Sequence, residues 1–444
     1  MSKMIKMSKK HPSYLDSLDF LYSLQKYGIK FGLSKTVHLL KACGDPQKGQ
    51  KYIHVAGTNG KGSVAAMLVS LLSQAGLKVG FYSSPHLVRF TERLRINRQE
   101  IAPARVAALT ALLRQAMAPD QPPTFFEFTT ALALLYFAGE QVDLAVIEVG
   151  MGGRLDATNV IRPLVSVITN IGLDHQAFLG KRLIDIANEK AGIIKNKVPL
   201  ITAETRPALR QLFQSICAEK KAPFWQVGTD IRFQARNRKL DYYGLKRQLK
   251  GLELGLQGPC QFRNAAVALA VMELLEKSGI KLNEAQVRQG LTQTFWPGRM
   301  QILDQNPLLI LDGAHNPAGM RQLAAGLKSD FKYKRLILIL GIMHDKDIPA
   351  MLKTILPLAD RVIYTRPVYE RAAAPQDLLR QAAEYHKRGE VIVPLNKALE
   401  RARALARADD LVLVCGSLFT VGEALTWFDP IAYKPDQELR DLSI

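Results

Sequence analysis

What this chain lacks narrows the field before any motif is considered. It has four cysteines in 444 residues, Cys43, Cys217, Cys260 and Cys415, and no C-x-x-C pair. That spacing offers neither a zinc site nor a disulfide framework. It fits a reducing compartment and leaves the cysteines as small apolar core residues. No apolar run approaches the ~20 residues a membrane helix needs. The basic opening stretch MSKMIKMSKKHPSYLD has no apolar segment behind it, so it does not read as a secretory signal. A cytoplasmic protein without a membrane partner is expected. Internal repeats and low-complexity segments are absent. Acidic residues are the minority, 40 against 60 basic ones, for a net charge of +20. Such a field draws nucleic acid, nucleotides and poly-acidic substrates alike and does not choose among them. The densest basic stretch, residues 232–250 with Arg236, Arg238, Lys239, Lys246, Arg247 and Lys250, alternates like a strand. It reads as the solvated face of a surface hairpin.

What is present is a regular alternation of strands and helices. A chain of 444 residues exceeds what one core usually serves, and two domains are expected, at 1–297 and 298–444. Tyr14, Leu18, Leu21 and Tyr22 recur at helical spacing, and residues 33–42 give a second short helix. From Tyr52 the pattern predicts strands at 52–56, 78–82, 144–149 and 164–169, with helices at 63–75 and 128–138. Residues 229–258 turn short, polar and hairpin-like, a helix covers 263–278, and Trp296-Pro297-Gly298-Arg299 reads as a linker. A second series follows, with strands at 308–311, 336–340, 362–365, 391–393 and 411–415. The fold class is therefore α/β: an N-terminal phosphate-loop domain on a doubly wound, mostly parallel sheet, then a smaller Rossmann-like α/β domain. Right-handed crossovers put the loops after the strands along one edge, where motifs converge.

The strongest motif is Gly57-Thr58-Asn59-Gly60-Lys61-Gly62-Ser63, between a strand and a helix, the context a phosphate loop requires. Glycines let backbone N–H groups reach phosphate oxygens, and the helix N-terminus favours an anion. Lys61 supplies a point charge and Ser63 a hydroxyl for Mg²⁺. Gly62, between Lys61 and Ser63, departs from the standard G-x-x-x-x-G-K-[ST] spacing. Next, Glu148 is a lone acid in an apolar strand. Burying it costs several kcal/mol unless a cation or hydrogen bonds offset that cost, which suggests a metal ligand. After the next strand comes Thr169-Asn170-Ile171-Gly172-Leu173-Asp174-His175. On chemistry alone His175 stays open between a structural and a metal-binding role, because Mg²⁺ prefers oxygen. Residues 187–193, around Lys190, read by themselves as ordinary helix surface. In the second domain, polar clusters end three strands: residues 311–317, 341–347 and 415–417.

Together these stretches resemble folylpolyglutamate synthase and its bifunctional relative dihydrofolate synthase, the folate branch of the Mur ligase superfamily. VAGTNGKGS, YSSPHL, FFEFTT, EVGMGGRLDATN, LDH, EKAGI, PGR, LDGAHNP, HDKD and CGSLFT occur in the family's order, from about residue 15 to about residue 425. A generic phosphate-loop protein would match only the first. The resemblance implies ATP on Gly57 to Ser63, with Asn264, Arg299 and Asp312 as further ATP contacts. It implies two Mg²⁺ positions, one at Ser63 and Glu148 and one at Ser84, Glu148 and His175. Lys190 matches the family's carbamylated lysine. His315 and Ser417 match positions for the incoming glutamate. Ser84, Pro85 and His86 match the loop beside the folate site, and Thr124, Phe125, Phe126, Glu127, Leu155, Asp156 and Ala157 the pterin-binding region of bifunctional members. Potassium dependence is a further family feature.

The expected activity is ATP-dependent addition of L-glutamate to a folate carboxylate through an acyl phosphate, with dihydropteroate as a second acceptor left open. Lys61, Lys190 and His315 are the expected catalytic side chains, the enzyme is expected to act as a monomer, and no nucleic-acid partner is expected. Three competing readings remain: a nucleic-acid-binding phosphate-loop ATPase, a cell-wall Mur ligase and a non-catalytic metabolite-binding protein. The first leaves Glu148, His175 and the HDKD cluster unexplained. SSPHL and FFEFTT weigh against the second, and the full set of reactive positions weighs against the third.

Overall fold

Strand β1 (Tyr52–Ala56) is buried at every position, as a parallel strand covered on both faces must be. Ile53 and Val55 face one apolar cluster, with the helices Lys61–Gln74 and Cys260–Leu275. Tyr52 faces the opposite cluster, with the helices Tyr14–Ser23, Pro103–Gln115 and Phe125–Gly139. Each large apolar side chain sequestered this way contributes roughly 1.5–3 kcal/mol. The structure, a computed structural model, describes residues 13–436 except Ile29, Phe31, Pro119 and Asp120. Most of the basic opening stretch therefore lies outside the described residues.

The first sheet adds β2 (Val79–Tyr82), β3 (Leu94–Ile96), β4 (Gln99–Glu100), β5 (Leu144–Glu148), β6 (Val165–Ile168), β7 (Leu200–Thr202) and β8 (Phe224–Gln226). Its order is β4-β3-β2-β5-β1-β6-β7-β8. It is parallel except where β3 and β4 pair antiparallel at one edge. β1 lies between β5 and β6, which leave it in opposite directions along the sheet. That reversal opens the crevice in which doubly wound sheets bind ligands. β3 and β4 are short and charged, which left them illegible to periodicity.

The basic stretch forms a three-stranded antiparallel meander rather than a hairpin: β9 (Arg232–Arg236), β10 (Lys239–Tyr243) and β11 (Gln248–Leu252). Leu240, Tyr242, Leu249 and Leu252 turn inward to the core, and Arg236, Lys239 and Lys250 face solvent. The strand-like alternation expected there is present, and a third strand completes the unit.

After the Trp296–Arg299 linker comes the second sheet: β12 (Gln301–Gln305), β13 (Leu308–Asp312), β14 (Leu336–Leu340), β15 (Arg361–Tyr364), β16 (Glu390–Val391) and β17 (Leu411–Cys415). Its order is β12-β13-β17-β14-β15-β16, with only β12 antiparallel. The α/β class and two-sheet plan match the expectation.

Three helices start earlier than the apolar pattern predicts. The helix at 128–138 begins at Phe125, because Thr124 caps it and Glu127 closes a capping box. The helix at 63–75 begins at Lys61 behind a left-handed Gly60. The helix at 263–278 begins at Cys260. Of the four cysteines, Cys217 and Cys415 are buried as expected, and Cys43 and Cys260 are only half-buried. No helix among the described residues is long and apolar enough to cross a membrane.

Candidate active site

A cleft of about 1160 Å³ runs between the two sheets along their strand ends. Gly57 to Ser63, Ser84, Pro85, Thr124 to Glu127, Glu148, Leu155 to Ala157, His175, Lys190, Asn264, Arg299, Asp312, His315 and Ser417 all line it. Of the residues given a site role from sequence, only His86 is absent from its wall. Arg93, which the sequence motifs do not include, also lines the cleft, as do Asp174 of the LDH motif and Lys346 of the HDKD cluster, to which sequence reasoning assigned no role.

The phosphate loop is held by β6's loop. Thr58 N–H donates to Asn170 O at 2.9 Å, and Thr169 Oγ1 donates to Asn59 O at 2.7 Å. At Gly57, φ is +145°, and a Cβ there would sit 1.8 Å from Thr169 Oγ1, so only glycine fits. Gly60 is left-handed at φ +85° and packs against Asn264, which ties that predicted ATP contact to the loop. The helix that begins at Lys61 directs its unsatisfied N–H groups at the loop's concave side.

Two lysines converge on one carbonyl. Lys61 Nζ donates to Gly57 O at 3.2 Å, and Lys190 Nζ donates to the same oxygen at 3.0 Å. Reading residues 187–193 alone as ordinary helix surface was wrong for Lys190, which is 5% exposed. The helix Leu183–Ala191 docks beneath the phosphate loop and carries Lys190 inward. Burial, then the neighbouring Lys61 charge, pushes its ammonium down to about 7. The amine is therefore substantially neutral at physiological pH.

Glu148 closes β5 and is 5% exposed. Burial raises its pKa, opposed by the charges of Lys61 and Arg299 and by the Ser84 N–H. His175 is left-handed at φ 50°. It is exposed at the rim of the cleft, and desolvation, opposed by the Asp174 charge, lowers its pKa to about 4. Hydroxyls at Ser63 and Ser84, a buried carboxylate and a neutral imidazole thus share one wall. Hard oxygen donors around a carboxylate without an ion pair among the described residues fit a Mg²⁺ ion.

A polar bridge joins the two sheets. Lys346 Nζ lies 2.9 Å from Asp174 Oδ1, and His315 Nε2 lies 3.7 Å from Asp174 Oδ2. Asn316 Nδ2 donates to Asp174 Oδ2 at 3.0 Å and to Asn59 Oδ1 at 3.0 Å. Burial would raise the Asp174 pKa. The nearby His315, with His175 and Lys346, outweighs it and holds the carboxyl well below the usual range. Asp312 is committed to backbone: it accepts from Met300 N–H at 2.9 Å and Ala314 N–H at 2.8 Å. It thereby fixes the linker against β13.

On the far wall Asp156 is a buried carboxylate whose pKa burial raises. It accepts from Met151 N–H at 2.9 Å and Thr158 N–H at 3.1 Å. His86, expected to meet substrate, stands behind Arg93 instead: Arg93 Nε donates to His86 Nδ1 at 2.7 Å. The sequence shows the SSPHL motif but not which of its side chains turns away from the cleft.

Two families match the chain: the Mur ligase middle domain over residues 55–272 and the Mur ligase glutamate ligase domain over residues 298–418. The dihydrofolate synthase/folylpolyglutamate synthase of Escherichia coli is 36% identical over 93% of this chain and 94% of its own length. The Bacillus subtilis protein of the same name is 33% identical over 93% and 98%. Among solved structures, Escherichia coli FolC in complex with DHPP and ADP superposes with a TM-score of 0.86 at 34% identity, covering 94% of this chain and 99% of that one. Mycobacterium tuberculosis folylpolyglutamate synthase complexed with ADP gives a TM-score of 0.87 at 31% identity, with the same coverage. The chain spans about half the length of two archaeal relatives. One is the Haloferax volcanii "Probable bifunctional folylpolyglutamate synthase/dihydropteroate synthase", 34% identical over 96% of this chain and 52% of its own. The other, from Halobacterium salinarum, is covered over 51%. The chain belongs to the folylpolyglutamate synthase/dihydrofolate synthase family of the Mur ligases.

Proposed function

We propose that this protein is an ATP-dependent ligase that adds L-glutamate to the γ-carboxylate of a reduced folate through an acyl phosphate, and that it also accepts dihydropteroate. One observation carries the reading: a single cleft joins a phosphate loop, a metal-suited buried carboxylate, an aromatic and acidic wall, and a polar patch of the second sheet. The wall of Thr124 to Glu127 and Leu155 to Ala157 supports the second acceptor. A nucleic-acid-dependent ATPase would give no purpose to that wall.

A carboxylate does not condense with an amine at neutral pH, so it must first be activated. ATP lies with its triphosphate on Gly57 to Ser63, and Asn264, Arg299 and Asp312 frame the nucleotide from the linker side. The acceptor carboxylate attacks the γ-phosphorus, and ADP leaves. Such a transfer needs positioning and charge neutralisation more than a protein nucleophile, and Lys61 supplies a fixed positive charge at the transferred group. Ser63, Ser84, Glu148 and His175 would hold Mg²⁺ at two positions; the ion, when bound, neutralises phosphate charge. Lys190, neutral and buried, suits carbamylation, which would turn it into an anion facing the same site. The glutamate amine then attacks the acyl carbon, and the tetrahedral intermediate expels phosphate. His315 and Ser417 orient the incoming glutamate. The bridge through Asp174 keeps the cleft shut, which protects the acyl phosphate from water. A monomer in the cytoplasm, stimulated by K⁺ and free of nucleic acid, completes the reading.

The test is ADP release with ATP, Mg²⁺ and K⁺, comparing tetrahydrofolate and dihydropteroate with and without glutamate. Glutamate-dependent release with each acceptor is expected. No release with either overturns the ligase, and release with tetrahydrofolate alone removes the second acceptor.

A further inference from the structure

Arg93 is 3% exposed and follows the helical turn Phe90–Arg93 into β3. Its guanidinium lines the cleft, with its central carbon 5.1 Å from the Phe125 ring centroid. Among the described residues it has no carboxylate partner, and its one side-chain hydrogen bond is the 2.7 Å contact from Nε to His86 Nδ1. The neighbouring acid, Glu92, is spent elsewhere: it accepts from the N–H groups of Leu87 at 2.8 Å, Val88 at 3.0 Å and Arg89 at 2.8 Å. Burying a guanidinium unpaired is costly, and burial does lower its pKa. A planar fork with its terminal nitrogens unpaired matches a carboxylate in bidentate geometry.

Position narrows the carboxylate. Arg93 stands between Phe125, on the proposed pterin wall, and Glu148, whose carboxyl feels the Arg93 charge along with those of Lys61 and Arg299. The reacting carboxylate must lie on the Lys61 and Glu148 side. A folate acceptor carries a second carboxylate, the α-carboxylate of its terminal glutamyl residue, a few bonds from the reacting one. Dihydropteroate has no such group. Resting on the ligase reading above, we propose that Arg93 is a specificity-determining residue that binds the α-carboxylate of the acceptor's glutamyl end. It would thereby favour folates over dihydropteroate in a site both share. His86 is a positioning residue: its Nδ1 accepts from Nε, which fixes the plane of the fork.

The experiment compares three acceptors, tetrahydrofolate, its α-carboxamide analogue and dihydropteroate, in the full-length wild type and in Arg93→Gln and Arg93→Lys. Wild type should prefer tetrahydrofolate over the α-carboxamide by about tenfold to hundredfold in kcat/KM, the worth of a charged hydrogen bond. That preference should collapse to about unity in Arg93→Gln and be partly restored in Arg93→Lys. The ratio of tetrahydrofolate to dihydropteroate kcat/KM should fall in parallel. A wild type indifferent to the α-carboxamide overturns the proposal, even if Arg93→Gln does not fold. Equal losses with all three acceptors also overturn it, since they would place Arg93 on the shared transferred phosphate or in a purely structural role. A wild type inactive with every acceptor refutes the ligase reading instead.

Discussion

Arg236 and Lys250 on the antiparallel meander stand in solvent, whereas Lys190 and Arg93 in the cleft are 5% and 3% exposed and have no carboxylate partner among the described residues. Both pairs count equally in the formal net charge of +20, yet their physics differs: burial leaves the Lys190 amine substantially neutral. An exposed cation is solvated and screened within roughly 10 Å, so it changes little when removed. A buried unpaired cation costs stability and persists only where something else needs it. Net charge cannot separate the two; burial without a partner can.

Predictions that test this contrast run from large to small. Lys61→Ala removes the charge nearest the transferred phosphoryl group. Glutamate-dependent ADP formation should fall by about 10³-fold, judged against the 10²–10³ lost with one oxyanion donor, and near-normal turnover would break the loop assignment. Lys190→Ala should cost about 10–100-fold, the range for groups that organise a metal site, with partial recovery when small carboxylates are added. Unchanged kinetics would remove its role.

Lys190 also sets a stability signature. Its folded pKa, about 7, lies below the ordinary value of 10.5. The unfolded chain therefore binds the extra proton between these values, and folding is penalised most below pH 7 and not at all above 10.5. Lys190→Met should raise Tm at pH 7 in CO₂-free buffer, and the gain should shrink as the pH approaches 10. A gain independent of pH would show that the ammonium is not the cause.

Asp174→Ala cuts the bridge to Lys346, His315 and Asn316. Glutamate KM should rise about tenfold, the worth of one charge-assisted hydrogen bond, with a smaller change for ATP; equal changes would contradict a role specific to the second sheet. Smallest of all, Arg236→Ser with Lys250→Ser on the meander should alter stability by about 0.5 kcal/mol or less, with turnover unaffected in the ADP assay. A large loss there would erase the distinction between the two sets of cations.

The sequence exposed most of the scaffold because its signals are local. The strand at 52–56 coincides with β1, since a short, mostly apolar run closed by a glycine turn has few alternatives. The phosphate loop was legible for the same reason. Helix starts were not, because Thr124 and Gly60 act through capping and backbone conformation rather than apolar spacing. Lys190, Arg93, Asp174 and Lys346 escaped a reading by residue type because their meaning depends on contacts distant in sequence. Lys190 meets Gly57, and Asp174 meets Lys346 from the other sheet. The family resemblance supplied Lys190 but offered nothing for Arg93.

The most direct test follows the atoms. Acceptor folate labelled with ¹⁸O in its γ-carboxylate is incubated with ATP, glutamate, Mg²⁺ and K⁺, and the released phosphate is analysed by mass spectrometry. If the carboxylate is primed by phosphoryl transfer in the cleft, one ¹⁸O per product moves into inorganic phosphate. Ligated product accompanied by unlabelled phosphate would contradict the account.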